Sequence, residues 1–274
     1  MVEHATRVGV VGAAGKMGRT IVQSLVETDA AEVCAAIEYA ESPAIGSDVG
    51  ETAGIGCNCG VSITSDLDKA AAASDVLIDF TRPSSTLATL EACVRAKTPI
   101  VIGTTGFSAD EKAQIDQAAS LIPVLMAANF SVGVNVLLNL LEKAAATLGE
   151  DYDIEVVEAH HRHKVDSPSG TALAMGEALA RGRGIGLEEA VFARHGDDGP
   201  RPRGVIGFQT VRGGDVVGEH MALFLGDGER LELGHRASSR FNFSRGAVRA
   251  ALWVCGRPAG FYSMQDVLAE TLSA

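Results

Sequence analysis

The densest chemistry in the chain is Glu158-Ala159-His160-His161-Arg162-His163-Lys164, running into Val165-Asp166-Ser167-Pro168-Ser169-Gly170-Thr171. Neighbouring cations lower a histidine's proton affinity and a bound anion raises it, so a histidine here is suited to moving a proton near neutral pH. At the end of a strand, alternation places His160 and Arg162 on one face and His161 and His163 on the other. Ser169-Gly170-Thr171 reads as a helix start with Ser169 or Gly170 at the cap, and the unpaired N–H groups ahead of it suit a carboxylate or phosphate. Together these residues imply a small anionic substrate bearing carboxylates, held by Lys164 and the helix start. Two other readings stay open: zinc bound through His161 and His163, although no thiol or carboxylate cluster accompanies them, and a solvated basic loop.

A second chemical signal comes early. Gly12, Gly15 and Gly18 lie between a short apolar run, residues 7–11, and a helix-like stretch, residues 19–28. Strand, glycine turn and helix in that order let a backbone approach a pyrophosphate at the helix start, where N–H groups and the dipole favour an anion. Glu38 stands 20 residues after Gly18 at the end of the second apolar run, where a carboxylate accepts hydrogen bonds from ribose hydroxyls. A plain tight turn with a solvated Glu38 is the competing reading. Glu38 disfavours a 2′-phosphate and Lys16 and Arg19 partly compensate, so NADH is expected to be preferred over NADPH.

The elements that must position these residues follow from periodicity. Apolar runs at 32–37, 75–80, 99–102 and 122–126 alternate with helical stretches at 84–97 and 108–120, which implies a mostly parallel sheet covered on both faces. Ligands of such sheets sit beyond the carboxyl ends of the strands, where Gly103-Thr104-Thr105-Gly106 and Ala127-Ala128-Asn129-Phe130 fall. Ordinary turns are the alternative there. From residue 131 a long apolar helix is followed by strands at 153–160, 204–211, 216–225 and 230–235, with one clear helix at 171–181 between them. That is α+β on a mixed sheet. A last helical stretch, 244–254, returns to the first pattern, so the second domain is an insertion. Residues 1–130 with 241–274 are expected to form one domain and 131–240 the other. Residues 181–189 and 195–203 read as mobile loops, and His195, His220 and His235 as structural or solvated. Arg236 and Arg240 could complete an anion pocket, though exposed arginines usually have no special role.

Composition bounds the partners. The 274 residues carry a net charge of −12, which argues against nonspecific binding to nucleic acid or an anionic membrane. No stretch approaches the ~18 continuous apolar residues of a membrane span, and residues 1–12 lack a signal layout, so the chain reads as cytoplasmic. Five scattered cysteines suggest reduced thiols, with Cys57-Asn58-Cys59 a loop rather than half of a metal site; no metal is expected.

With these residues in view, the chain resembles the 4-hydroxy-tetrahydrodipicolinate reductase (dihydrodipicolinate reductase) family of the diaminopimelate and lysine pathway, essentially end to end. The segments that carry the likeness are 11–19, 78–81, 102–107, 127–135 and 158–171. The resemblance implies a Rossmann-type α/β dinucleotide-binding domain with an inserted α+β domain for substrate and oligomerisation, assembled as a homotetramer. It implies that NADH or NADPH delivers hydride to a cyclic imine-type dicarboxylate, with loss of water. By motif, His160 resembles the proton donor and Lys164 a second donor, while His161, Ser169, Gly170 and Thr171 look like substrate contacts. Gly12, Ala13, Ala14, Gly15, Lys16, Met17, Glu38, Gly103, Thr104, Thr105, Ala127, Ala128, Asn129 and Phe130 are similar to the cofactor-binding segments. Some members carry Arg immediately after the strand-end acid; this chain has Tyr39, which puts strong NADPH preference in doubt. Another two-domain NAD(P)-dependent dehydrogenase acting on a small carboxylate, and a nucleotide sensor without turnover, are the rival readings.

Overall fold

The structure is a computed structural model that describes residues 4–270. In chain order the elements are β1 (Thr6–Val11), α1 (Lys16–Val26), β2 (Ala31–Ile37), α2 (Val49–Ala53), β3 (Ile63–Thr64), α3 (Leu67–Ala73), β4 (Val76–Asp79), α4 (Pro83–Ala96), β5 (Ile100–Ile102), α5 (Ala109–Ala119) and β6 (Pro123–Met126). They continue with α6 (Val132–Leu148), β7 (Asp153–His160), α7 (Gly170–Arg183), β8 (Ile206–Arg212), β9 (Gly218–Gly226), β10 (Glu229–Ala237), α8 (Phe241–Val254), β11 (Gly260–Tyr262) and α9 (Met264–Ala269). Two compact units result: the described residues up to Val132 with those from Arg240 onward, and Gly133–Ser239.

The first unit is a seven-stranded parallel sheet in the order β11-β6-β5-β4-β1-β2-β3. Short β-branched and apolar runs such as Val8, Val10, Ile78 and Val101 are wholly buried because helices cover both faces. Val8, Val10, Ile21 and Leu25 join Ala247, Ala250, Val254 and Val267 in one core, while Leu77, Ile100, Ile102, Leu90 and Ile115 form the other. Local signals set the helix ends. Ser108 and Glu111 form a reciprocal capping box on α5, and Pro83 opens α4. The strand order reverses between β1 and its neighbours β2 and β4, which opens a crevice at their carboxyl ends.

The second unit is a mixed four-stranded sheet in the order β10-β9-β7-β8, with β7 parallel to β8 and antiparallel to β9. Helices α6 and α7 supply Leu137, Leu141, Met175 and Leu179 to a core with Ile154, Val156, Phe208 and Phe224 of the sheet. Close approach needs a missing side chain: a Cβ on Gly176 would lie 2.4 Å from the Phe208 ring.

Both segments read as loops are irregular, although the first begins later than expected, because helix α7 runs to Arg183 and stops on left-handed Gly184. Further on, Arg194 grips the Glu155 carboxylate at 2.8 and 3.0 Å, and Arg201 reaches Glu155, Asp153 and the carbonyls of Ile154 and Val205. Two arginines thus tie the second loop and its flank to one largely buried carboxylate. Burial pushes the Glu155 pKa up, yet the two guanidinium groups outweigh it and hold the carboxyl below its usual range. No helix among the described residues is long and apolar enough to cross a membrane.

Candidate functional site

The first unit presents its site at the carboxyl ends of β1, β4 and β5. Gly12 adopts φ +72°, and a Cβ there would meet Thr81 Cγ2 at 2.7 Å. Gly18 is more constrained: its Cβ would stand 2.1 Å from the Gly12 carbonyl oxygen. Gly15 caps α1 without a side-chain hydrogen bond, and no acidic residue occupies the first turn, so the helix start presents bare N–H groups at Lys16 and Met17. Gly12 and Ala13 donate to the Ile37 carbonyl, and Ala14 N–H donates to Glu38 Oε1 at 2.9 Å. Glu38 is therefore brought onto the glycine turn. Beside it lies a cavity of about 750 Å³ lined by Gly12, Glu38, Tyr39, Ser65, Thr81 and Arg82, among others. A cradle in which a side chain at Gly18 would collide, a helix start free of anions and a polar-rimmed cavity fit a dinucleotide.

Thr104 follows β5 and is buried with Asp79, the last residue of β4, which has no exposed surface. Asp79 Oδ1 accepts from Thr81 N–H at 2.9 Å and from the Thr81 hydroxyl at 2.6 Å, with the Thr86 and Thr104 hydroxyls at 3.2 and 3.4 Å. Thr104 Oγ1 also accepts from Thr81 N–H and Thr86 Oγ1. Oδ2 has no hydrogen-bond partner among the described residues. Burial pushes the Asp79 pKa up, against the hydrogen bonds that lower it. This network ties the loop after β4 to Gly103-Thr104-Thr105. Gly103 itself must be glycine, since a Cβ would lie 2.2 Å from the Phe80 ring. Of the segment after β6, Ala127 N–H bonds the Ile102 carbonyl and Asn129 accepts from Ser131 N–H; Phe130 is 1% exposed and tilts against Phe80 at 5.2 Å, a packing position.

The second unit builds its site on β7. Alternation puts Ile154 and Val156 in the core, and the same face continues into Glu158 and His160. Glu158 is 1% exposed and fully used. Its Oε2 meets His160 Nδ1 at 2.6 Å and Arg212 Nη1 at 2.7 Å, while Oε1 accepts from Arg212 Nη2 at 2.8 Å and Ser169 N–H at 3.0 Å. The register explains the meeting, because Arg212 of β8 lies opposite His160 and His220 of β9 lies opposite Glu158. With Nδ1–H donated to Glu158, Nε2 is the nitrogen left for chemistry. Burial is the first cause of a lowered His160 pKa; Glu158 acts to raise it, and Lys164 and Arg212 add to the lowering.

Ser169 caps α7, its Oγ accepting from Ala172 N–H at 3.2 Å. The same Oγ lies 2.8 Å from His220 Nε2, and the His220 and His160 rings meet edge-on at 5.0 Å. His220, read from sequence as structural or solvated, is buried against the Ser169 cap; strand register, invisible in spacing, brings it there. Burial first, then His160, pushes its pKa down to about 4. Lys164 Nζ pairs with Asp166 at 2.8 Å. His161 is half-buried, 6.3 Å between ring centres from His163, and no group of three metal-ligating side chains surrounds them among the described residues. Gly170 and Thr171 form the first turn of α7. Arg236 pairs with Glu219 at the surface, and Asp48 organises the loop of Cys57 and Cys59 through the Cys59 N–H. Arg82, Asp79, Arg212 and His220 were not picked out from sequence as site residues.

Comparison with known proteins agrees with this architecture. Residues 6–130 match the family described as dihydrodipicolinate reductase, N-terminus, and residues 133–268 the family described as dihydrodipicolinate reductase, C-terminus. A 4-hydroxy-tetrahydrodipicolinate reductase of Acinetobacter baumannii is 54% identical over 265 residues, 96% of either chain. Among solved structures, a dipicolinate-bound dihydrodipicolinate reductase from Paenisporosarcina sp. TG-14 superposes with TM-score 0.76 at 24% identity, covering 95% of this chain and 98% of that one. GenD2 of gentamicin A biosynthesis, in complex with NAD, shares the fold at TM-score 0.60 and 14% identity, covering 99% and 93%. The chain belongs to the dihydrodipicolinate reductase family.

Proposed function

We propose that His160 and Lys164 carry the proton and the substrate carboxylate in the reaction of this family, the NAD(P)H-dependent reduction of 4-hydroxy-tetrahydrodipicolinate to tetrahydrodipicolinate with loss of water. The observation that carries the assignment is the single strand face on which Glu158 holds both His160 Nδ1 and the Ser169 N–H at the start of α7. One carboxylate thereby fixes the proton carrier and the anion-binding helix start together.

NADH or NADPH supplies the hydride when bound. The first unit would hold it through Gly12, Ala13, Ala14, Gly15, Lys16 and Met17 at the pyrophosphate, Glu38 at the ribose, and Gly103, Thr104, Thr105 and the 127–130 segment toward the nicotinamide. Glu38 and Tyr39 in the adenosine cavity support a preference for NADH, with Lys16 and Arg82 keeping NADPH within reach. In the second unit Lys164 leaves Asp166 for a substrate carboxylate, and Ser169, Gly170, Thr171 and His161 hold the dicarboxylate. Two carboxylates raise the proton affinity of His160, so the substrate itself charges its donor. His160 then protonates, from Nε2, the carbon next to the one that receives hydride, where hydride addition to the conjugated imine leaves the electron pair, and Glu158 holds the imidazolium in place beforehand. Lys164 is the second donor.

We also place the chain in a homotetramer in the cytoplasm; the exposed Phe192, Val211 and Leu231 of the second unit support an assembly surface. Light scattering reads the assembly. The reaction is tested by loss of NADH absorbance with substrate generated in place by its synthase from pyruvate and aspartate semialdehyde, beside NADPH, His160→Gln and Lys164→Ala. Oxidation that requires the synthase product and collapses in His160→Gln is expected, with Lys164→Ala losing about 2–4 kcal/mol in kcat/KM. Full turnover by His160→Gln removes the residue from the donor role.

A further inference from the structure

His220 lies on β9, 5% exposed, with Nε2 against Ser169 Oγ at 2.8 Å and Nδ1 buried without a partner among the described residues. A neutral imidazole carries one proton, and each place for it leaves a different donor unpaired. On Nδ1 it would strand a buried N–H with no acceptor among the described residues. On Nε2 it is donated to Ser169 Oγ, and the unpaired donor is then the Ser169 hydroxyl, 2% exposed, which an anion at the start of α7 can satisfy. With a pKa pushed down to about 4, the ring stays neutral near pH 7.

The consequence falls on Ser169. Its Oγ already accepts from Ala172 N–H, so a second donor at Nε2 fills both lone pairs and leaves the serine's own proton with no acceptor in the cap. We propose that His220 is a positioning residue that turns the Ser169 O–H outward, making it a donor to a carboxylate of the bound substrate. This rests on the reading of the α7 start as the substrate's anion site. The first N–H groups of α7 point the same way, so His220 adds a hydroxyl donor to the site without adding charge. A lysine or arginine in its place would bring charge and raise the cost of an empty site.

Two measurements test this. Nitrogen-15 NMR of the imidazoles in the unmutated protein bound to pyridine-2,6-dicarboxylate is expected to show His220 neutral and protonated on Nε2; a proton on Nδ1 overturns the proposal, whatever the variants do. The second is calorimetric titration with pyridine-2,6-dicarboxylate of the parent, His220→Phe, Ser169→Ala and the double variant. Each single change is expected to weaken binding about tenfold, and the double change also about tenfold, because both remove the same hydrogen bond. His220→Gln, whose side-chain amide can donate from nearly the same place, is expected to recover most of the affinity. A double variant weakened about a hundredfold would show independent roles and overturn the proposal. Failure of the parent to bind the dicarboxylate would strike the substrate reading itself, an outcome distinct from tight binding with the proton on Nδ1, which strikes the role of His220 alone.

Discussion

Asp79 offers the sharpest test of how the first unit is held, because its two oxygens have opposite environments. Oδ1 gathers Thr81 N–H, the Thr81 hydroxyl and the Thr86 and Thr104 hydroxyls, while Oδ2 has no partner among the described residues. Asp79→Ala removes the shared acceptor. Thr81 N–H and Thr86 keep Thr104 Oγ1, so the groups chiefly stranded are the Thr81 and Thr104 hydroxyls. At ~1–3 kcal/mol for each stranded buried group, partly offset by removing a desolvated acid, the expected loss is about 3 kcal/mol. Asp79→Asn keeps Oδ1 and removes the ionisable group, while its amide N–H groups find no acceptor at the Oδ2 position among the described residues, so it should cost ~1–3 kcal/mol at low pH. The sign with pH follows from burial raising the folded-state pKa above the unfolded value of 3.8. Between those two values the folded state holds a proton that the unfolded state releases. The parent's stability is thus fullest below the unfolded pKa and declines as pH rises toward the folded one, by up to about 1.4 kcal/mol per pH unit. Asp79→Asn lacks that decline. The chain has a single tryptophan, Trp253, and it lies on α8 of the same unit, so its fluorescence during urea unfolding reports this unit. Runs from acid toward neutral pH should show Asp79→Asn gaining on the parent as pH rises above the unfolded value. An Asn variant that keeps the parent's pH slope would refute the raised pKa of Asp79.

Three further outcomes follow from the geometry. Gly18→Ala places a Cβ 2.1 Å from a carbonyl oxygen of the glycine turn; a loss of about 1–3 kcal/mol by urea unfolding and weaker NADH binding by calorimetry are expected, and unchanged values for both would contradict the tight approach of α1 to the turn. Arg212→Met leaves the Glu158 carboxylate facing His160 without its guanidinium, so the His160 pKa measured by NMR titration of the imidazole should rise, and a fall would show that Arg212 does not hold the charge of Glu158. Binding of pyridine-2,6-dicarboxylate near pH 7 should take up protons, up to about one per site, because His160 begins with a lowered pKa and gains an anion. Calorimetry in buffers of different ionisation enthalpy reads that uptake, and binding heats independent of buffer would count against it.

Much of this was readable from residue order. The run from Glu158 to Thr171 announces a strand that ends in cations and a capped helix, and all of its chemistry is local. The glycine turn is equally local, with strand, turn and helix adjacent in sequence. Arg212 and His220 are different, because each enters the site only through strand pairing across dozens of residues, and alternation within a strand says nothing about its partner's register. Asp79 stayed unremarked because an acid at the end of a strand ordinarily reads as solvated, and only the packing of α4 and the β5 loop buries it. The short elements α2, β3, β11 and α9 span too few residues for a periodic pattern to emerge. The irregular segment after residue 190 was legible from its glycines and prolines, whereas the ion pairs of Arg194 and Arg201 depend on Glu155, about 40 residues away, and were not.

The first unit is discontinuous in sequence. Its core joins Val8, Val10 and Ile21 to Ala247, Ala250, Val254 and Val267, and its outermost strand, β11, is made from residues near the end of the chain. A ribosome therefore releases most of this unit before the pieces that complete it exist, whereas Gly133–Ser239 is continuous and finished earlier. At ~5–20 residues per second, roughly 10 to 50 seconds pass between the synthesis of β1 and that of α8. Through that interval the nascent sheet has one face incompletely covered, and the inserted unit can reach its own structure first. The unit begun second is thus the first to be complete, and the longer wait for its missing pieces, with the exposure to aggregation or to a chaperone that goes with it, belongs to the dinucleotide cradle.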